Sequence, residues 1–214
     1  MRWGMVIDLK KCYGCNACVL ACKQEHFLLP GMFFNHVVMT ETGKFPDVKK
    51  LMVPTLCNHC ADPVCAQACP AGATYQRADG IVAVDADKCT GCQYCIMACP
   101  YHQRNFVESA DSSYYEQGRS PREKLGETLN PFREGTVVKC TFCMEKIDEG
   151  LKKGLRPGID REATPACVNT CYTKARIFGD LDDPDSEVSR LIKNHHAYTL
   201  CPETGARPSV YYID

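Results

Sequence analysis

The chain has 214 residues, enough for one or two domains with a real core, and its 25 Lys and Arg against 26 Asp and Glu leave a formal charge of −1. That balance excludes the basic footprint of a nucleic-acid-binding domain, and no uninterrupted apolar stretch approaches the roughly 20 residues of a spanning helix. Cysteine is the anomaly, at 17 residues, close to the enrichment of short disulfide-stapled secreted chains. The odd count, the length and an N-terminus without an apolar signal region oppose disulfides and favour metal.

In chain order, "MVIDL" (Met5–Leu9) reads as a short strand. It leads into a first cysteine set, Cys12, Cys15, Cys18 and Cys22, in "CYGCNACVLACK". The second set is Cys57, Cys60, Cys65 and Cys69 in "CNHCADPVCAQACP". "GATYQRADGIVAVD" follows as a hairpin, with Asp79-Gly80 as its turn signal. The third set, Cys89, Cys92, Cys95 and Cys99, lies in "CTGCQYCIMACP".

Residues 107–135 are polar and rich in Gly, Pro and Ser. They read as a surface connection, with the basic run "RSPREK" (Arg119–Lys124) as a solvated loop. "TVVK" (Thr136–Lys139) is a strand before the fourth set, which is split: Cys140 and Cys143, then Cys167 and Cys171 after 23 intervening residues. "DDPDSEVSRLIKNHH" starts a packing helix with Asp or Ser caps and Val188, Leu191 and Ile192 on one face. "SVYYID" closes the chain as a strand.

The spacing C-x2-C-x2-C-x3-C-P is the signature of bacterial ferredoxins with two clusters, in which the fourth cysteine ligates the other cluster. One tetrahedral zinc needs only two pairs, so a third cysteine two residues later would be surplus; the fourth set alone would also pass for a zinc ribbon. Gly14 and Gly91 allow backbone close to a cluster and a positive φ. Pro70 and Pro100 end the cluster loops. Sets two and three form a two-cluster plan over 53–106, which leaves sets one and four only each other as partners. The expected fold class is therefore α+β, with two ferredoxin-like two-cluster units and loop-rich connections. The outer unit is 1–52 plus 136–214, and the 53–106 unit is inserted in it.

Other residues read more plainly. His59 in "CNHC" is expected as a surface or loop-packing residue beside a cluster. Adjacent His195 and His196 do not face one site on a helix. Cys201, outside the four sets, is expected as a small buried hydrophobe. Trp3 and Tyr13 either screen the first cluster or pack in the core. No catalytic triad, P-loop or dinucleotide-binding glycine motif is present.

On "MVIDLKKCYGCNACVLACK", "PTLCNHCADPVCAQACP", "GIVAVDADKCTGCQYCIMACPY", "KCTFC", "PACVNTC" and "ARIFGDLDDPDSEVSRLI", the sequence resembles the four-cluster iron–sulfur electron-transfer subunits of molybdopterin oxidoreductases, the dimethyl-sulfoxide reductase family. Within it, the iron–sulfur subunits of polysulfide, thiosulfate and respiratory arsenate reductases are most alike. The resemblance omits 107–135 and the extreme C-terminus, and it departs where Tyr172 stands after Cys171 in place of proline.

The resemblance implies four [4Fe–4S] clusters. Cys12, Cys15, Cys18 and Cys171 would hold one; Cys140, Cys143, Cys167 and Cys22 its neighbour. Cys57, Cys60, Cys65 and Cys99 would hold a third, and Cys89, Cys92, Cys95 and Cys69 the fourth. It implies no catalytic residues, a large molybdopterin (molybdenum or tungsten) catalytic partner, and a quinone-reactive multi-span membrane subunit or other redox partner. Association with the outer face of the membrane by co-export is expected, with the cytoplasm as the alternative. The alternative functions are the equivalent subunit of a cytoplasmic formate dehydrogenase, hydrogenase or transhydroxylase-type enzyme, and a zinc-binding scaffold.

Overall fold

The computed structural model describes residues 1–214. Strand β1 (Trp3–Asp8) is followed by helix α1 (Ala17–Glu25) and a long ribbon, β2 (Asn35–Lys44) with β3 (Asp47–Leu56). Then come α2 (Val64–Gln67), β4 (Thr74–Gln76), β5 (Val82–Val84), α3 (Tyr94–Met97), β6 (Asn105–Phe106) and α4 (Pro121–Leu129). The last third holds β7 (Val137–Val138), α5 (Met144–Lys152), α6 (Ala166–Asn169), β8 (Arg176–Asp180), α7 (Glu187–Asn194) and β9 (Val210–Ile213).

The two ends of the chain meet in one sheet of order β8-β1-β9. β1 runs antiparallel to β8, with Trp3 opposite Asp180, and parallel to β9, with Met5 opposite Val210. A strand covered on both faces reads as a continuous apolar run, which is why "WGMVI" shows no alternation. Met5 and Ile7 point into the main core with Phe178 and Tyr212, while Val6 points the other way, onto Val188 of α7. The expected helix face of Val188, Leu191 and Ile192 packs there, and Ser186 caps the helix by accepting from the Ser189 N–H at 3.2 Å.

Between the ends, β4 and β5 form the hairpin that Asp79-Gly80 predicts, with Thr74 opposite Val84. Arg77 of that hairpin's loop grips Asp148 of α5 with both terminal nitrogens, at 2.8 and 2.5 Å. The middle of the chain is thereby tied to its last third. β6 pairs with β7 across the 107–135 segment.

Two features differ from the sequence reading. The segment 107–135 is not an unbroken polar connection, because α4 lies in it. The "SPRE" of the basic run is a capping box: the Ser120 hydroxyl accepts from the Glu123 N–H, and the Glu123 carboxylate accepts from the Ser120 N–H at 2.7 Å. Pro121 stands at the first helical position, where its missing N–H costs nothing. The segment is anchored on the end of α1, by Tyr114 Oη donating to Leu28 O at 2.8 Å and Asn130 Nδ2 donating to His26 O at 2.7 Å. The β2–β3 ribbon is the second difference. Its root, at Asn35 and Leu56, is buried, and its outer part projects into solvent, with Phe45 at the tip 92% exposed.

Candidate metal centres

All four cysteine sets share one backbone device. The residue just before the second cysteine has a left-handed conformation: Gly14 at φ 76°, His59 at 41°, Gly91 at 70° and Phe142 at 55°. This bend turns Cys-x-x-Cys so that both thiols face one space. In the first and third sets the position is glycine. A Cβ on Gly91 would stand 2.2 Å from the backbone Gly135 O, so a side chain has no room there; one on Gly14 would stand 2.8 Å from Met52 Sδ, the end of a flexible side chain that can move. In the second and fourth sets the position is aromatic, at a cost of about 1–2 kcal/mol each for the backbone. His59 and Phe142 stack on each other with ring centroids 3.8 Å apart, and Phe142 meets Phe178 edge-on at 5.3 Å. His59 is fully buried, so the expected loop-packing role holds and the surface alternative does not.

The thiols gather across sets. One cavity is lined by Cys57, Cys60 and Cys65 of the second set and Cys99 of the third. Another is lined by Cys89, Cys92 and Cys95 of the third set and Cys69 of the second. Helix α2, carrying Cys65, packs on α3, carrying Cys95. The same arrangement recurs with α1, carrying Cys18 and Cys22, packed on α6, carrying Cys167. Cys12 lies within charge range of Cys18 and Cys171, and Cys143 within charge range of Cys167, Cys140 and Cys22. No group of three or more His, Cys, Asp or Glu side chains is drawn together as ligands of one ion; the sets stand around wider spaces.

Thiols kept from water resist ionisation. Burial, reinforced by the facing Cys167, pushes Cys22 up to about 12, and burial beside Cys57 does the same to Cys60. Burial drives Cys140 and Cys143 well above the ordinary thiol value. Cys69 goes the other way: burial opposes its ionisation, but backbone N–H groups of Thr74, Ala73 and Ala71 hold it below the ordinary value. Iron must displace the protons of such thiols, so metal binding and deprotonation are linked.

Buried polar groups around the cavity of Cys57, Cys60, Cys65 and Cys99 fit a sulfur-rich anion. The Tyr101 hydroxyl and the Arg104 Nη2 are buried donors with no protein acceptor, and both residues line that cavity. A thiolate-ligated iron–sulfur group presents only acceptors and would satisfy them. Elsewhere N–H groups already point at sulfur, from Ala175 to Cys171 Sγ at 3.2 Å and from Phe142 to Cys140 Sγ at 3.5 Å. Such bonds are one means of tuning cluster potential.

Sequence reasoning missed several neighbours of these thiols. His26 Nε2 lies 3.2 Å from Cys143 Sγ. Lys139 is buried and donates to the carbonyls of Val82 and Cys140. Arg104 and Arg176 are buried beside cysteines of two sets each. One signal was available for the arginines: each stands five residues after the last cysteine of a set, in "CPYHQR" and "CYTKAR". Trp3 packs in the core against Phe178, while Tyr13 is exposed next to Cys15. Cys201 is half-buried, less enclosed than expected.

Residues 48–128 match the 4Fe-4S dicluster domain family. Over all of its length the chain is 40% identical to the arsenate respiratory reductase iron-sulfur subunit of Shewanella sp. (strain ANA-3), covering 96% of that protein. The chain belongs to the family of iron–sulfur electron-transfer subunits of molybdopterin oxidoreductases. It is also 40% identical over its full length to the iron-sulfur subunit of a putative dimethyl sulfoxide reductase of Halobacterium salinarum, covering 79% of that protein. It is 36% identical over 99% of its length to a subunit of the tetrathionate reductase of Salmonella typhimurium, covering 72% of that protein. The chain carries [4Fe–4S] clusters and passes electrons within an oxidoreductase. None of its helices is long and apolar enough to cross a membrane.

Gly91→Ala is expected to lower stability by about 1–3 kcal/mol, through backbone strain at φ 70° and the clash with Gly135 O. The temperature at which the brown iron–sulfur absorbance bleaches measures it. An unchanged bleaching temperature would mean that the loop has freedom to move away from Gly135.

Proposed function

We propose that the subunit holds four [4Fe–4S] clusters in crossed sets and conducts electrons between a molybdopterin catalytic subunit and a quinone-linked membrane subunit or other redox partner. The observation that carries this is the pair of central cavities, each lined by three cysteines of one set and the last cysteine of the other. Cys57, Cys60, Cys65 and Cys99 hold one cluster; Cys89, Cys92, Cys95 and Cys69 hold the second. By the same rule Cys12, Cys15, Cys18 and Cys171 hold the third, and Cys140, Cys143, Cys167 and Cys22 the fourth. The inserted unit, 53–106, thus sits within an outer unit made of 1–52 and 136–214. The β8-β1-β9 sheet, which joins the two chain ends, supports that nesting.

Bound clusters supply one-electron carriers whose potentials depend on their protein surroundings. The protein's own residues set the order of the sites. Cys12 and Cys18 neighbour Cys22 and Cys167 through Arg176; Cys140 neighbours Cys57; and Cys65 neighbours Cys95. The His59–Phe142 stack joins the loops of the second and fourth sets. The outermost thiols, Cys15 and Cys92, are the exposed ones. Tyr13, Leu20 and Tyr172 are exposed around the first end, and Tyr94 and Met97 at the second. An apolar surface over a buried carrier is where a redox partner excludes water, so the catalytic and the quinone-linked partners occupy opposite ends. Location at the outer face of the membrane follows if the folded subunit is exported with its catalytic partner.

Anaerobically purified protein is expected to contain about 16 iron and 16 inorganic sulfide per chain, from four Cys₄ cubanes. Stoichiometric zinc with little sulfide would sink the reading. Cys201→Ser should leave iron content and spectra unchanged, because Cys201 lies outside the four sets; loss of one cluster's iron would break the partition.

A further inference from the structure

Two buried arginines have no carboxylate partner. Arg104 is 7% exposed and Arg176 3%, and neither takes part in an ion pair. A guanidinium keeps its charge at any pH of interest, and an isolated buried charge is costly unless an anion offsets it. The neutral groups around them do not suffice. Arg104 Nη1 donates to Thr74 Oγ1 at 3.2 Å and its Nη2 has no acceptor. Arg176 donates to Asn35 Oδ1 at 3.5 Å and Met5 Sδ at 3.8 Å, both neutral.

Their positions say what the anions are. Arg104 lines the cavity of Cys57, Cys60, Cys65 and Cys99, and Thr74, its hydrogen-bond acceptor, lines the cavity of Cys69, Cys89, Cys92 and Cys95. The guanidinium therefore occupies the wall between the two cavities. Arg176 has the corresponding place between the outer sets. It opens β8 five residues after Cys171, lies against Cys167 and Cys18, and shares Asn35 with α1 through the bond from Asn35 Nδ2 to Cys18 O at 3.2 Å.

We propose that Arg104 is a potential-setting cation shared by the two central cluster sites, and that Arg176 is its counterpart for the two outer ones. The inference rests on the crossed four-site reading above. A cluster with four thiolates is a net anion and gains negative charge on reduction. A fixed positive charge in the low-dielectric wall between two of them therefore favours the reduced state of both. It also offsets the mutual repulsion of two neighbouring reduced sites. Each arginine thus acts on a pair of sites, as a positioning residue that ligates neither.

The test is a reductive titration of the cluster-loaded chain followed by EPR, with the four signals first assigned by single Cys→Ser variants. Arg104→Met is expected to retain its iron and to disfavour reduction of the two central sites by about tenfold or more, a fall of about 59 mV for a one-electron couple. The two outer sites should move by less than half as much. Arg176→Met should show the mirror pattern. Arg104→Lys, which keeps the charge, should stay within about half of the Met shift. If Arg104→Met does not load iron, Arg104→Gln, neutral but still a donor, is read in the same way. Unchanged central potentials in a loaded neutral variant would overturn the proposal. So would a shift in Arg104→Lys as large as that of the neutral variant, or a shift confined to one central site. Loss of iron from both neutral variants with Arg104→Lys loaded would make the residue an assembly element and overturn the tuning role. Failure of the four-site reading itself shows in the wild type, as an iron content well below four clusters before any variant is made.

Discussion

Cys171→Ser and Cys12→Ser are expected to damage the same cluster, each at a loss of up to about four of the roughly sixteen irons, and to erase or alter the same reduced-state EPR signal. Cys22→Ser should instead match Cys140→Ser. Cys12 and Cys171 are 159 residues apart in sequence, yet Cys12 lies near enough to Cys18 and Cys171, and Cys22 to Cys167 and Cys18, for each to feel the others' charge. The β1–β8 ladder supplies the mechanical cause. It fixes Ile7 opposite Arg176, just beyond the loops that carry Cys12 and Cys171. Four self-contained motifs would pair Cys12 with Cys22 and leave Cys171 on another signal. That outcome would remove both the nested units and the order of sites built on them. A serine oxygen sometimes replaces a thiolate without full loss of iron, so the comparison of which signal changes decides more than the amount of iron.

The cysteine sets were legible because ligand spacing is imposed by chemistry and does not depend on the rest of the fold. The β4–β5 hairpin and α7 were legible for local reasons, Asp79-Gly80 in one and the Ser186 cap in the other. The β2–β3 ribbon was not, because outside its root both faces meet solvent and no period-2 apolar pattern is needed. Helix α4 carried its capping box in plain view at Ser120 and Glu123, but the polar composition around it outweighed a four-residue signal. The environment of His59 depends on Phe142, 83 residues away, and no local reading contains that. Arg104 and Arg176 are single residues without periodicity; only their equal offset from Cys99 and Cys171 marks them.

Phe142→Ala is expected to cost about 3–5 kcal/mol, the range for emptying a buried aromatic site, and to bleach its clusters faster than the wild type at one temperature. Phe142 is 1% exposed and fills the space between His59 of the second cysteine loop and Phe178 of β8. The backbone adds a second, opposing effect. At φ 55° every residue with a Cβ is strained, and alanine keeps that strain while losing the stack that held it. Phe142→Gly should therefore be more stable than Phe142→Ala by about 1 kcal/mol, although glycine normally costs about 0.5–1 kcal/mol relative to alanine elsewhere. His59→Gly against His59→Ala, at φ 41° in the partner loop, should give the same order. Because cluster loss makes unfolding irreversible, bleaching rates at one temperature are the appropriate comparison. An alanine variant at either position that outlasts its glycine counterpart would show that the left-handed bend stores no strain in these two loops, and that the aromatic pair is retained for its packing alone.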